Sequence, residues 1–392
     1  MSSILPLDGI TVISLEHAIA APLATRHLAD LGARVIKIER PNVGDFARSY
    51  DRRANGLASH FVWVNRSKES LTLDLKRGEA REVLYSLLQQ ADVLVQNLAP
   101  GAAMRLGLDY ETLAPKFQKL IVCDISGYGD DGPYTRKKAY DLLIQSESGF
   151  LSITGTPDEM TKSGISIADI SAGMYAYSSI LGALLQRART GKGRRIEIAM
   201  IDAMAEWMGF PMYYALDGQE APPRSGAAHA TIYPYGPFVA GDGRTIMLGL
   251  QNEREWKVFC EKVLERPELA SDARYADNAA RTCRRDELRR LIEQQFSSWT
   301  ADEVVMRLNA ADIANAHVNT VADLWKHPQL TARGRWADVE VPGGMLPALL
   351  PPGSDANNLP RMGPIPGLGE HTDSILSEFG FDPDWMRAAG IV

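Results

Sequence analysis

Two rhythms of apolar and polar positions run along the chain. Six short runs rich in aliphatic and β-branched residues, Ile10–Leu15, Ala33–Ile38, Ser70–Leu75, Asp92–Gln96, Leu120–Ile125 and Arg195–Met200, each predict a strand. Between them lie stretches of helical length. Ala18–Leu31 is one, and Gly78–Gln90 carries Val83, Leu84, Leu87 and Leu88 as a single apolar stripe. Ile170–Arg189 is crowded with small residues (Ser171, Ala172, Gly173, Ala176, Gly182) that let another backbone come close, and Gly191 ends it. Strand and helix alternating in this way predict an α/β fold, a parallel sheet with helices on both faces.

The pattern then changes. Asp217–Phe238 holds Pro222, Pro223, Pro234 and Pro237 and reads as a linker. Thr245–Leu250 follows as a strand, with Glu253–Leu264 and Arg284–Gln295 as amphipathic helices, so a smaller α+β module is expected. Val341–Gly369 contains seven prolines and reads as a long return crossing, after which a helix over Thr372–Phe379 packs back on the first block.

Composition narrows the function. The chain has 392 residues, 45% hydrophobic and 23% charged, which fits two domains. It has no run of 18 apolar residues, and Met1–Leu7 lacks the basic-then-apolar order of a signal peptide, so a soluble cytoplasmic protein without membrane contact is expected. Cys123, Cys260 and Cys283 are too few and too far apart for a disulfide framework or a zinc pair. A net charge of -7 argues against a nucleic-acid partner, so any anionic ligand must meet a local basic cluster.

Gly127-Tyr128-Gly129-Asp130-Asp131-Gly132 matches GxGxxG, but Pro133 and Tyr134 open no helix and two aspartates would repel a pyrophosphate, so a tight glycine turn is expected instead of a dinucleotide site. The seven histidines stand at no metal-binding spacing. His17, on the first strand-to-helix turn, lines a cleft or caps the turn. Lys37 and Arg40, Arg66 and Lys68, Arg105, and Arg136–Lys138 lie near strand ends; either they converge on a phosphorylated ligand or they are solvated faces. Asp169 is the only charged residue between Lys162 and Arg187 and heads the small-residue helix. There it is an N-cap, a carboxylate nucleophile kept ionised by the helix dipole, or both.

Longer segments are more specific. Ala29–Pro41, Gly44-Asp45, Asn65–Lys68 with Ser70–Lys76, Asn97 with Pro100-Gly101, Gly127–Gly129, Ala139–Asp141, Arg189–Gly193 and Leu368–Thr372 together resemble the class III CoA-transferases, in order along nearly the whole chain. The resemblance implies that Asp169 is the nucleophile, with CoA contacts from Ile19, Ala20, Arg40, Leu73 to Lys76, Asn97, Arg105 and Lys138. Leu73 would flank the adenine and the basic residues would meet the phosphates. Coenzyme A and its thioesters would be substrates, with no tightly bound cofactor. The implied architecture is a large Rossmann-like domain from both chain ends, 1–205 and 335–392, and a small α+β domain, 225–325. Linkers over 206–224 and 326–370 would let two chains interlock as a ring-like homodimer.

Two departures bear on substrate. Ile19 stands where formyl-CoA transferases have Gln, and Gly226-Ala227-Ala228-His229 replaces their glycine run, which disfavours oxalate and formate. His229 with His17 opposite would suit a dicarboxylic acid such as succinate, malate, citramalate, itaconate or mesaconate, with succinyl-CoA as a plausible donor. The α-methylacyl-CoA racemases of the same family need a His before Asp141; here it is Tyr140, a poor base at neutral pH. A non-catalytic CoA-binding protein is the remaining alternative.

Overall fold

The β-rich runs of the first 200 residues form one sheet in a computed structural model that describes residues 4–355 and 357–392. Its strands are β1 (Thr11–Leu15), β2 (Arg34–Glu39), β3 (Lys68–Thr72), β4 (Val93–Gln96), β5 (Ile121–Ser126) and β6 (Arg195–Ala199). They lie in the order β3-β2-β1-β4-β5-β6, every neighbouring pair parallel. That order reverses between β1 and β4, which opens a crevice beyond their carboxyl ends. β3 starts two residues earlier than the apolar pattern suggests, because its register is set by Val35 opposite Lys68, and its regular pairing ends with Glu39 opposite Thr72.

One face of the sheet is a conventional apolar layer. Ile13, Leu15, Ile36, Ile38, Leu71, Leu94 and Val122 pack against Val83, Leu84, Leu87 and Leu88 of the Gly78–Gln90 helix and against Ile375, Leu376, Met386 and Ile391 from the end of the chain. The return of the C-terminal helix, Thr372–Glu378, is therefore as expected. The other face carries α1 (Ala20–Asp30) and the long helix Ile167–Thr190, which ends at Gly191 in the left-handed conformation. Their close approach depends on the small-residue stripe. A Cβ on Gly173 would sit 2.6 Å from the Ala20 carbonyl oxygen.

Beneath this second layer the strand alternation breaks the usual rule. Ser14 and Glu16 of β1 and its exit, and Lys37 and Glu39 of β2, alternate with apolar residues as on a half-exposed sheet, and Lys68 and Ser70 of β3 lie on the same face. All of them are buried.

Tertiary contacts divide the chain into two units, Met1–Ser148 with Ser163–Met208 and Leu330–Val392, and Gly149–Lys162 with Gly209–Gln329. Residues 149–162, expected in the large domain, thus group with the second unit, as do residues 209–224. The second unit has an antiparallel sheet, β7 (Tyr235–Val239), β8 (Thr245–Gly249) and β9 (Ala314–His317), over a core that includes Trp256, Phe259, Tyr275 and Phe296. The helix expected over Glu253–Leu264 is α-helical to Val258 and then widens into a π turn. The linker expected over Asp217–Phe238 ends inside β7, where Pro237 is tolerated because the strand lies at the edge of its sheet.

The proline-rich return is likewise partly regular. β10 (Trp336–Val341) and β11 (Gly344–Leu349) form a hairpin in the first unit, and both strands of a two-stranded ribbon are edges that can accept Pro347. Among the described residues no helix is long and apolar enough to cross a membrane, and Cys123, Cys260 and Cys283 are free thiols.

Two alanine substitutions on one helix test the close packing. Gly173→Ala should destabilise by roughly 1–3 kcal/mol in denaturant unfolding, since the Ala20 backbone must move. Gly182→Ala, where a Cβ meets nothing within 4 Å, should be neutral or stabilise by up to about 1 kcal/mol.

Candidate active site

The crevice begins at the turn from β1 into α1. Ala18 there adopts a left-handed φ of 60°, and the turn is clamped from across the topological switch point. His17 N donates to Asn97 Oδ1 at 2.9 Å, and Asn97 Nδ2 donates to the His17 carbonyl at 2.9 Å. Asn97, expected to touch CoA, therefore also latches this turn to the end of β4. Ile19 and Ala20 are buried, so what this segment offers a ligand is its backbone.

A buried ionic network holds the turn from below. Lys37 Nζ donates to Asp45 Oδ2 at 2.9 Å and approaches Glu16 Oε1 at 3.4 Å, and Lys68 Nζ donates to Glu16 Oε1 at 2.6 Å. Glu16 Oε2 accepts from Thr25, and Asp45 Oδ1 accepts from Ala18 N and Ala47 N. Burial alone would raise the Glu16 and Asp45 carboxyls, but the two lysines and these donors hold both below their ordinary range. Burial dominates at Lys68, which is brought down to about 7. This overturns one sequence expectation. Lys37 and Lys68 are fully enclosed in ion pairs, and Arg66 is bidentate to Asp30 at 2.7 and 2.8 Å, so none of the three is a phosphate ligand or a solvated face.

The remaining cations are placed differently. Arg40 follows β2, Lys76 follows β3, Arg105 follows β4 and Lys138 follows β5; all four are exposed, and none has an ion-pair partner among the described residues. They lie in loops and a short helix that follow strand carboxyl ends, where this sheet topology binds ligands. Arg105 also lines a cleft of about 600 Å³ together with Arg81 and Tyr85. Leu73 does not fit: its side chain is 1% exposed within the apolar layer, so it cannot flank an adenine, whereas Leu75 is only partly buried.

Asp169 occupies the third position of the helix Ile167–Thr190, but it is not the cap. Asp141 caps that helix from outside: its Oδ1 accepts from Ala168 N at 2.8 Å and Asp169 N at 3.2 Å, and its Oδ2 accepts from Gln145 at 2.6 Å. The Asp169 carboxylate is left with no hydrogen-bond or ionic partner among the described residues. Burial, with Asp141 nearby, pushes it up to about 7. Burial and the like charge of Asp141 thus oppose the ionisation that the helix dipole was expected to favour.

Three neighbours went unassigned in the sequence. Asp45 is the hub just described. Phe46 stacks on His17 at 5.1 Å, and Tyr50 follows in the same turn, within electrostatic reach of Asp45, Asp169 and Tyr140. The Gly44-Asp45 pair after β2 was the available signal; nothing in the pattern said that its carboxylate turns back under β1. Tyr140, 68% exposed, precedes the helix Asp141–Glu147.

Gly226 and His229 belong to the second unit. Gly226 N donates to the Gly155 carbonyl. His229 Nδ1 accepts from Thr231 N at 3.2 Å and Ile232 N at 3.0 Å, and its ring stacks on Tyr235. That ring organises a turn, leaving only Nε2 for any ligand. The glycine-rich loop after β5 is a turn, with Gly129 and Gly132 at φ of 85° and 78° and no helix at its end.

The sequence profile described as CoA-transferase family III matches residues 7–372. A succinate–glutarate CoA-transferase of Agrobacterium fabrum is 35% identical, with 95% of each chain covered. An acetyl-CoA:oxalate CoA-transferase of Acetobacter aceti is 33% identical, with 95% of this chain and 96% of that one covered. Among solved structures, a CAIB/BAIF family protein from Brucella suis superposes with a TM-score of 0.86 at 35% identity, covering 96% of this chain and all of that one.

The raised Asp169 carboxyl makes a stability prediction. A folded-state value near 7 against an unfolded value near 4 means that stability is lost as pH rises between the two and stays lost above. Asp169→Asn should therefore be more stable than wild type at pH 8, by an amount on the order of 1–3 kcal/mol, and show little or no gain at pH 4. Denaturant titrations at the two pH values measure the difference.

Proposed function

Because the chain belongs to CoA-transferase family III and so transfers coenzyme A, we propose that it moves CoA from an acyl-CoA, with succinyl-CoA as the favoured donor, to a dicarboxylic acid through covalent acylation of Asp169. The observation that carries this reading is the division of labour between two aspartates. Asp141 satisfies the helix N-terminus, so Asp169 keeps an uncommitted carboxylate beside it.

The chemistry follows from that group. An Asp169 oxygen attacks the thioester carbonyl carbon, the C–S bond breaks, and CoA leaves as a thiolate, giving a mixed anhydride. The thiolate attacks the Asp169 carbonyl carbon, releasing the donor acid and forming an aspartyl-CoA thioester. The acceptor carboxylate then attacks that thioester, again expelling thiolate, and the thiolate attacks the acceptor acyl carbon to release the new acyl-CoA and free Asp169. No net proton or water is consumed, so each intermediate must be kept from hydrolysis. Arg40, Lys76, Arg105 and Lys138 supply the positive charge for the CoA phosphates, and the backbone of Ile19 and Ala20 lies by the thiol end.

Both curated relatives bear names of enzymes acting on dicarboxylic acids. The succinate and glutarate named for the Agrobacterium fabrum relative support four- and five-carbon acids over oxalate. A second copy of the chain would complete an interlocked homodimer. Supporting this, the first unit exposes Leu185 on the helix Ile167–Thr190 and the second exposes Phe210 and Tyr213.

Asp169→Ala should lose at least about 10³ of kcat/KM, and mass spectrometry after adding succinyl-CoA should find an adduct on Asp169 of the wild type only. Exchange at the wild-type rate in the variant refutes the reading. In an acid screen, glutarate and succinate should outperform oxalate.

Since the nucleophile must be ionised, kcat/KM should rise with pH through about 7. Asp141→Asn, which keeps an oxygen for the cap but removes the like charge, should move that limb to lower pH. Sedimentation should show a dimer whose monomer does not appear on dilution.

A further inference from the structure

The turn between β1 and α1 holds a buried polar atom without a partner. His17 Nδ1 is shielded from solvent and makes no hydrogen bond, yet it lies 3.7 Å from Asp45 Oδ1. The ring has little freedom to turn away, because it stacks on Phe46 with an interplanar angle of 22° and its backbone is gripped on both sides by Asn97. Asp45 is equally fixed. Its Oδ2 accepts from the buried Lys37, and its Oδ1 from Ala18 N at 3.1 Å and Ala47 N at 2.9 Å. Two of the roughly four acceptor positions of the carboxylate are thus used on Oδ1 and one on Oδ2, so the position left for an imidazole N–H is on Oδ2, and Oδ1, 3.7 Å from Nδ1, contributes charge alone.

The ring's other nitrogen faces a different environment. The His17 side chain is 24% exposed, and with Nδ1 shielded that exposure falls on the Nε2 side. The helix that carries Asp169 packs on the helix this turn opens, with Gly173 against the Ala20 carbonyl, and Phe46 joins the His17 ring to Tyr50, whose ring lies 5.8 Å from its own. A fixed anion behind a histidine, with the far nitrogen open, is the arrangement that orients an imidazole toward a substrate.

We propose that Asp45 is a positioning residue: it holds the Nδ1–H of His17 and so presents Nε2–H to the second, unreacting carboxylate of the dicarboxylic acid. The inference rests on the dicarboxylate reading above and adds the residues that recognise the distal group. When the acid binds, the imidazole lies between two carboxylates and carries a proton on each nitrogen, the extra one taken from solvent. An acid of equal length with a methyl terminus offers Nε2 no carboxylate, so the charged hydrogen bond does not form, and discrimination follows from that loss.

A double-mutant cycle tests the idea, read as the ratio of kcat/KM for glutarate to that for pentanoate. His17→Ala should lower this ratio roughly 10–100-fold, chiefly through the KM of glutarate. Asp45→Asn retains an oxygen for the two backbone amides and should lower the ratio several-fold, with no further loss once His17 is already Ala. The proposal is overturned if His17→Ala weakens both acids alike, or if Asp45→Asn costs as much in the His17→Ala background as alone.

Should Asp45→Asn fail to fold, ¹⁵N-histidine spectra of the wild-type enzyme, with and without glutarate, decide: Nδ1 of His17 must carry a proton in both, and a bare Nδ1 refutes the contact. A wild type that transfers CoA to no dicarboxylic acid would sink the substrate reading itself, while the spectra would still report on the Asp45–His17 pair.

Discussion

The structure depends on four charges enclosed under one turn. Glu16, Lys37, Asp45 and Lys68 come from three neighbouring strands and the loop after β2, and each is paired with at least one of the others out of reach of water. Such a network is a costly way to hold a fold together, since ion pairs buried in a low dielectric recover little more than their desolvation, but removing one member leaves an uncompensated charge worth about 3–5 kcal/mol. Its value here is geometric. By tying β1, β2 and β3 together beneath the crevice, it fixes where Ala18 and His17 stand, in a backbone conformation that a residue with a Cβ seldom adopts.

The second constraint is the packing of α1 on the long helix. Gly173 brings that helix against the Ala20 carbonyl, and Asp169 lies one turn earlier, so the approach of Asp169 to the start of α1 depends on a side chain missing four residues later. Asp141 then does two things from a separate helix. It satisfies the N–H groups that Asp169 would otherwise bond, and its charge helps hold the Asp169 carboxyl near neutrality. A carboxylate that is neither hydrogen-bonded nor paired is a better nucleophile than a capped one, because no interaction need be broken before attack.

The basic residues near the strand ends follow two opposite electrostatic designs. Arg40, Lys76, Arg105 and Lys138 are solvated, have no ion-pair partner among the described residues, and stand in segments following β2, β3, β4 and β5. The lysines that look equivalent in sequence, Lys37 and Lys68, are neutralised internally. In a chain with a net charge of -7, that separation lets a small part of the surface attract an anion.

By itself the amino-acid sequence determined the alternation of strands and helices, the small-residue helix and its glycine stop, the false dinucleotide loop, the family, and Asp169 as the acid to watch, because each of these is written in local spacing or in motifs. It could not tell a buried charge from a solvated one. Ser14, Glu16, Lys37 and Glu39 alternate with apolar residues as they would on an exposed sheet face, and period two is the same whether water or α1 covers that face. The cap from Asp141, the inward Leu73 and the position of Asp45 beside His17 were decided by tertiary structure alone. All depend on which side chains meet across tens of residues, and contacts over such separations leave no period in the chain.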